Sequence, residues 1–370
     1  MTIVKILGNI VILLSIIIGC IGRFQPHLFF KLPNGFILWA LTGHPLPPFI
    51  IPGPFKEGNV DWLNDGDLIV TAAPKSGTTW MLFCSHQIRV KGDDEKFPYA
   101  DVSLNTPWPE LIQTPGDTWE IQREKYNTTV LADGTLFKNY WDHPEYPFRI
   151  FKSHNLPKGF GSLIGSDNPP KKVKFIAMAR PALDQIASFI PFFVGKTDEF
   201  RKTWGGFPPV SIGTNAREQA KTVFSRTKPG NKWFDMTLPY VKSWWEVKDE
   251  DNVLLLHYSD AVKDLDGTVK KIADFLDVEL SPEHHAKVVD RCSYKYMKGK
   301  QHLFEYQMPL NREFDGKRIV KSGSMIRKGT NGDGKVFFTD EEIAEFNKRE
   351  EDFYGEDIDI LDWHRHGSMK

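Results

Sequence analysis

Residues 74 to 80 read Pro74-Lys75-Ser76-Gly77-Thr78-Thr79-Trp80, and the segments on either side limit what the chain can fold into. The run before them, Leu68 to Ala73, is short, apolar and partly β-branched. Bounded by Asp67 and Pro74, it reads as a buried strand. The run after them, Thr79 to Ile88, contains no Gly or Pro and reads as a buried helix. A strand, a tight loop and a helix start together make an anion site, because loop N–H groups converge and the helix N-terminus adds partial positive charge. Gly77 permits close backbone approach, Ser76, Thr78 and Thr79 offer hydroxyls, and Lys75 offers a full charge. The loop is not a Walker A motif, which needs Gly-x-x-x-x-Gly-Lys-Ser/Thr; here the Lys precedes the Gly.

Three further segments carry chemistry in the same chain order. Pro147 to Phe151 reads as a strand leading into Lys152-Ser153-His154-Asn155-Leu156-Pro157. Val173 to Ala179 reads as a strand ending at Arg180, with Ser188 eight residues on. Near the C-terminus stands Arg327-Lys328-Gly329-Thr330-Asn331-Gly332-Asp333, followed by Lys335, Phe338 and Thr339. Arg suits a terminal phosphate because its planar fork binds two oxygens at once. Between them, Val269, Ile272, Ala273 and Leu276 fall at i, i+3, i+4 and i+7 after a strand over Val253 to Leu256. Thr339 followed by Asp340, Glu341 and Glu342 has the pattern of a helix start. Strands alternating with helices predict an α/β domain with a mostly parallel central sheet covered by helices. Its ligand site belongs at the carboxyl ends of the strands, where Lys75, Lys152 and Arg180 fall.

Together these segments resemble the cytosolic-type sulfotransferase family, from about Asp67 to Thr339. The heptad is similar to that family's 5′-phosphosulfate loop. The resemblance implies transfer of a sulfuryl group from 3′-phosphoadenosine 5′-phosphosulfate (PAPS), with no metal, to a hydroxyl or amine. It implies that Lys75, Ser76, Gly77, Thr78, Thr79 and Lys152 hold the phosphosulfate. Arg180, Ser188, Arg327, Lys328 and Gly329 are then expected on the 3′-phosphate, and Trp80, Tyr258, Ser293 and Tyr294 on the adenine side. His154 is expected to be the general base, with Lys75 and Lys152 as its catalytic partners. Three positions depart from the family pattern: Gly334 stands where the family has Trp, Ser259 where it has Glu, and Asn155 is inserted before Leu156. The first leaves the packing of the C-terminal loop open, and the last could tilt the catalytic loop. The family's dimer motif is only partly matched by Lys335 and Thr339, so a homodimer is left open.

The chain has 370 residues, enough for a substantial core. The motifs are spread over residues 74 to 339, so dividing the domain would split the site. A net charge of −1 gives no sign of a nucleic-acid partner. Three Cys residues suggest a reducing compartment without a disulfide framework. Between Lys5 and Arg23 lies an uncharged run, Ile6 to Gly22, at the short end of the roughly 17–25 residues that span a bilayer. The expectation is a single-pass membrane anchor over residues 1–24, a Pro-rich apolar segment over 25–60 and a catalytic domain over 61–370 on the cytosolic side. The stretch Phe36 to Ile51 is expected to lie at the interface or to pack on the domain. Asn127-Thr128-Thr129 is a glycosylation sequon that says little by itself. The acceptor is expected to be small and apolar or aromatic, with Phe189, Phe192, Phe193, Trp108 and Trp141 as candidates for its pocket. Two other functions fit the phosphate loop: a nucleotide or small-molecule kinase, and a membrane-tethered nucleotide-binding protein without catalysis. The kinase lacks its Gly-Lys-Ser/Thr and a clear magnesium-binding carboxylate set.

Overall fold

In the computed structural model, four strands form one parallel sheet in the order β2-β1-β3-β4. The structure describes the chain apart from residues 1, 26, 43–46, 52, 57, 209–214, 226–227, 229–235, 315 and 369–370. The strands are β1 (Leu68–Ala72), β2 (Ile150–Ser153), β3 (Lys174–Ala179) and β4 (Val253–His257). Leu68 pairs with Ile150 on one side and Lys174 on the other, and Phe175 pairs with Val253. Their near-continuous apolar sequences follow from burial on both faces. Leu68, Val70, Ala72, Ile150, Ile176 and Met178 enter one core cluster. Ile69, Ala73, Phe151, Phe175 and Ala177 enter the other. The period-two alternation therefore divides each strand between two apolar layers rather than between core and solvent.

The amino ends of β1 and β2 are tied by a buried ion pair. Arg149 Nε donates to Asp67 Oδ1 at 2.9 Å, and a second guanidinium nitrogen reaches Oδ2. The carboxyl ends point the other way, toward the crevice. The chain leaves β1 for the edge at β2, then returns across β1 to β3 and β4. The reversal puts the loop after β1 at the switch point, where ligands bind in sheets of this kind. Each strand end delivers one singled-out residue: Lys75 after β1, His154 after β2, Arg180 after β3 and Tyr258 after β4.

The N-terminal segment corrects one expectation. Helix α1 (Thr2–Phe24) forms, but among the described residues no helix is long and apolar enough to cross a membrane. The single-pass anchor expected over residues 1–24 is not borne out. Ile18 and Ile21 pack against the main core, which leaves Ile6 to Ile17 as the exposed apolar part. At ~1.5 Å per residue that stretch is about 18 Å long, against roughly 30 Å of hydrocarbon. The short helices α2 (His27–Phe30) and α3 (Gly35–Leu41) pack on the domain. Phe30 meets Trp204 edge-on at 5.3 Å, Phe36 lies 4.8 Å from Phe207, and Phe36 N donates to Gly205 O.

Candidate active site

The loop after β1 is held open by two left-handed residues. Lys75 has φ +72° and Gly77 φ +102°. A Cβ on Gly77 would sit 2.7 Å from Met178 Sδ and 3.0 Å from the Tyr258 ring, so only glycine fits. Gly77 is the N-cap of α4 (Thr78–Arg89), and Met81 N donates to its carbonyl. The N-terminus of α4 therefore faces the crevice, and Thr78, Thr79 and Trp80 line it, where a helix start favours an anion. The Ser76 and Thr78 hydroxyls are buried, and no hydrogen-bond partner is found for either among the described residues. Buried hydroxyls in native proteins are rarely left so. Of the two, Thr78 reaches the cavity, and its orphaned hydroxyl, the glycine-lined cradle and the neighbouring Lys75 fit a phosphate or phosphosulfate group.

Lys152 comes from β2 and points across the crevice. Its Nζ donates to Tyr306 Oη at 3.0 Å and lies 4.0 Å from the centroid of Trp108. Tyr306 Oη also shares a 3.0 Å hydrogen bond with Thr79 Oγ1, so it couples the helix start to the strand residue. His154 follows directly. Its Nδ1 lies 2.6 Å from Ala72 O, and its ring meets Trp108 edge-on at 4.8 Å. A carbonyl can only accept, so Nδ1 carries the proton and Nε2 holds the lone pair. Burial, then the charge of Lys152, push the His154 pKa well below the ordinary imidazole value, so the ring stays neutral. Burial, with Arg180 and Arg327 nearby, lowers Lys75 to about 7. The inserted Asn155 does not tilt His154 out of the site. Its carbonyl accepts from Thr71 Oγ1 and Trp244 Nε1, which absorbs the extra residue behind the strand.

Arg180 joins the two ends of the motif set. One guanidinium nitrogen donates to Lys75 O at 3.2 Å and another to Thr330 O at 3.3 Å. Its guanidinium lies 4.5 Å over Tyr258, and its Nε has no partner among the described residues. Arg327 and Lys328 both pair with Asp333, the latter at 3.2 Å. Gly329 has φ +67°, and a Cβ there would strike the Tyr294 ring at 2.3 Å. Tyr294 Oη donates to Arg327 O at 2.7 Å. The loop does not need the Trp that Gly334 replaces. Asp184 accepts from Gly332 N and Gly334 N, both at 2.8 Å, and a Cβ on Gly334 would meet Leu183 at 2.8 Å. Glycine lets the loop lie directly on the start of the helix Ala182–Val194.

These residues line one cavity of about 750 Å³. Lys75, Gly77, Thr78, Thr79, Trp80, Lys152, His154, Arg180, Ser188, Tyr258, Tyr294, Arg327, Lys328 and Gly329 are all on its wall. Two expected residues are not. Ser76 is buried beneath the loop, and Ser293 caps the helix Tyr294–Gly299 through Tyr296 N. Trp80 stands edge-on to Tyr258 at 5.5 Å, its indole N–H on Cys292 O. The cavity wall also carries the aromatic rings of Trp39, Phe49, Trp108, Phe189, Phe192 and Phe193, with Trp108 against His154. Trp141 is not among them; it packs in the opposite core layer against Phe137 and Phe151. Sequence reasoning missed Tyr306, which lies 154 residues from Lys152, and Trp39 in α3. Neither sits in a motif, and only the fold brings them to the site. No group of residues able to hold a metal ion is found among the described residues.

A family model described as "Sulfotransferase domain" matches residues 65–356. Sulfotransferase 2A6 of Rattus norvegicus is 29% identical over 308 residues, covering 83% of this chain and 91% of that one. Sulfotransferase 1 family member D1 of Mus musculus is 29% identical over 288 residues, covering 78% and 82%. Among solved structures, retinol dehydratase in a complex with retinol and PAP shares the fold at a TM-score of 0.54 and 22% identity, over 80% of this chain and 82% of that one. Mouse sulfotransferase SULT7A1 complexed with PAP does so at 0.52 and 21%, over 86% and 95%.

Proposed function

The chain belongs to the sulfotransferase family and is a PAPS-dependent enzyme of that class; we propose that it acts on a small apolar or aromatic acceptor, with His154 as the base. The observation that carries the reading is the orientation of His154. With Nδ1–H committed to Ala72 O, Nε2 is the ring nitrogen left to take a proton from an acceptor held in the cavity. A positioned general base contributes about 10²–10⁴-fold.

PAPS supplies the sulfuryl group and a bisphosphate leaving group. Lys75, Thr78, Thr79 and Lys152 would hold the phosphosulfate end, with the N-terminus of α4 behind it. Charge developing on the departing phosphate oxygens would fall on Lys75 and Lys152. Fixed donors of this kind contribute about 10²–10³-fold each. Arg180, Ser188, Arg327, Lys328 and Gly329 would hold the 3′-phosphate. Trp80, Tyr258 and Tyr294 would flank the adenine. In this assignment Ser76 and Ser293 support the loop and a helix start rather than touch the nucleotide.

The test is calorimetry followed by turnover. The reading expects tight binding of 3′,5′-adenosine bisphosphate (PAP) and none of ATP with magnesium. It also expects transfer of label from radiolabelled PAPS in a screen of phenols, alcohols and amines. PAP binding without turnover on any acceptor would leave a nucleotide-binding protein and remove His154 as a base.

A further inference from the structure

Lys196 is a charged residue that the nucleotide site does not use. It follows the helix Ala182–Val194, and its backbone bridges to Val320. Its side chain is buried yet lines the cavity, beside Phe193, Ile319 and Met325. The ammonium lies 3.8 Å from the centroid of Phe192 and 4.5 Å from that of Phe200. No carboxylate pairs with it among the described residues. Burial first, and then the positive charges of Lys75, Lys152 and Arg201, push its pKa well below that of an ordinary lysine. A buried cation is costly unless an opposite charge meets it. The two rings offset part of that cost. They leave the ammonium without an anionic partner.

Phe192 also carries Lys75 on its ring, with Nζ 4.3 Å from the centroid. With Lys196 Nζ at 3.8 Å from the same centroid, the two ammonium nitrogens are at most 8.1 Å apart. An anionic oxygen held by Lys196 would therefore lie within one small molecule's length of Lys75, beside the Phe192 ring. We propose that Lys196 is the residue that sets acceptor specificity. It holds the carboxylate of an apolar or aromatic hydroxy acid while that molecule's hydroxyl faces His154. The proposal rests on the sulfotransferase reading of the cavity and narrows its acceptor class.

The matched probes are hydroxyphenylpropionate and its methyl ester, titrated into the PAP-loaded protein and then assayed with PAPS. Wild type is expected to bind and turn over the acid at least about tenfold better than the ester, the low end for one charge-assisted contact. Lys196→Met should abolish that preference by weakening the acid alone, with PAP affinity unchanged. Lys196→Arg should keep it, which guards against a Met variant that fails to fold. Equal affinity of wild type for acid and ester would overturn the proposal. So would equal loss of both in Lys196→Met, which would put the ammonium on the sulfuryl group instead. Failure of wild type to bind PAP would be a different result, one that removes the sulfotransferase reading itself.

Discussion

Removing Arg327 and removing Arg180 should have different consequences, although both are assigned to the 3′-phosphate. Arg327 is about a quarter exposed and already shares Asp333 with Lys328. A phosphate at this place competes with that carboxylate, so the net contact belongs at the low end of the 1.5–3 kcal/mol typical of charged hydrogen bonds. Arg327→Ala should weaken PAP by roughly tenfold and leave 5′-AMP, which has no 3′-phosphate, nearly unchanged. Arg180 is buried and has an unpartnered Nε, so its contact belongs at the upper end, roughly a hundredfold. It also donates to Lys75 O and Thr330 O. Losing its hold on the Lys75 loop costs about one ordinary hydrogen bond, 0.5–1.5 kcal/mol. Arg180→Ala should therefore weaken 5′-AMP as well, by about two- to tenfold. The double variant should lose less than the product of the two, because both groups act on one phosphate. Calorimetry at fixed ionic strength, on wild type and the three variants with each nucleotide, measures these affinities. If Arg327→Ala weakens 5′-AMP as much as PAP, Arg327 does not read the 3′-phosphate. If Arg180→Ala spares both nucleotides, the bridging role is wrong.

Three other outcomes follow from the same geometry. His154→Ala should lower turnover by about 10²-fold or more while PAP affinity stays constant; because burial and Lys152 hold the imidazole pKa well below 6.5, wild-type kcat/KM should not fall as pH drops through that value, and an acid-limb midpoint at or above it would exclude His154. Gly77→Ala places a methyl 2.7 Å from Met178 Sδ at φ +102°, a strain of about 1–3 kcal/mol, so a lower melting temperature and weaker PAP binding are expected, and an unchanged thermal scan would contradict the cradle. Burial raises Glu110 from 4.5 to about 7, although Trp108 Nε1 and His154 N both donate to it; the folded state binds its proton more tightly, so stability falls as pH rises from about 4.5 through 7, and Glu110→Gln should raise the melting temperature more at pH 8 than at pH 5, the reverse ordering counting against it.

Much of the site was legible in the sequence because each segment carries its own geometry. Lys75 to Trp80 need only a strand before them and a helix after them to become an anion cradle. Arg180, His154 and Tyr258 directly follow strands, and in a parallel sheet every strand end faces the same crevice. The capping box at Thr339 and Glu342 is likewise local. What sequence could not supply was contact between segments far apart. Nothing near Tyr306 announces that its hydroxyl joins Thr79 to Lys152, and nothing near Asp184 shows that it carries the loop beneath Gly334. Trp108 and Trp141 are alike as residues, yet one walls the cavity and the other fills the opposite core layer. The same limit explains the N-terminus. An apolar run shows that water is unfavourable around it but does not say what covers it. Only the packed structure reveals that Ile18 and Ile21 lean on the core and that α3 brings Trp39 to the cavity wall. Local hydrogen bonding and periodicity determined the strands, the loop and the order of the charges. Burial against distant chain decided which aromatic rings and which lysines line the cavity, because burial depends on the whole fold.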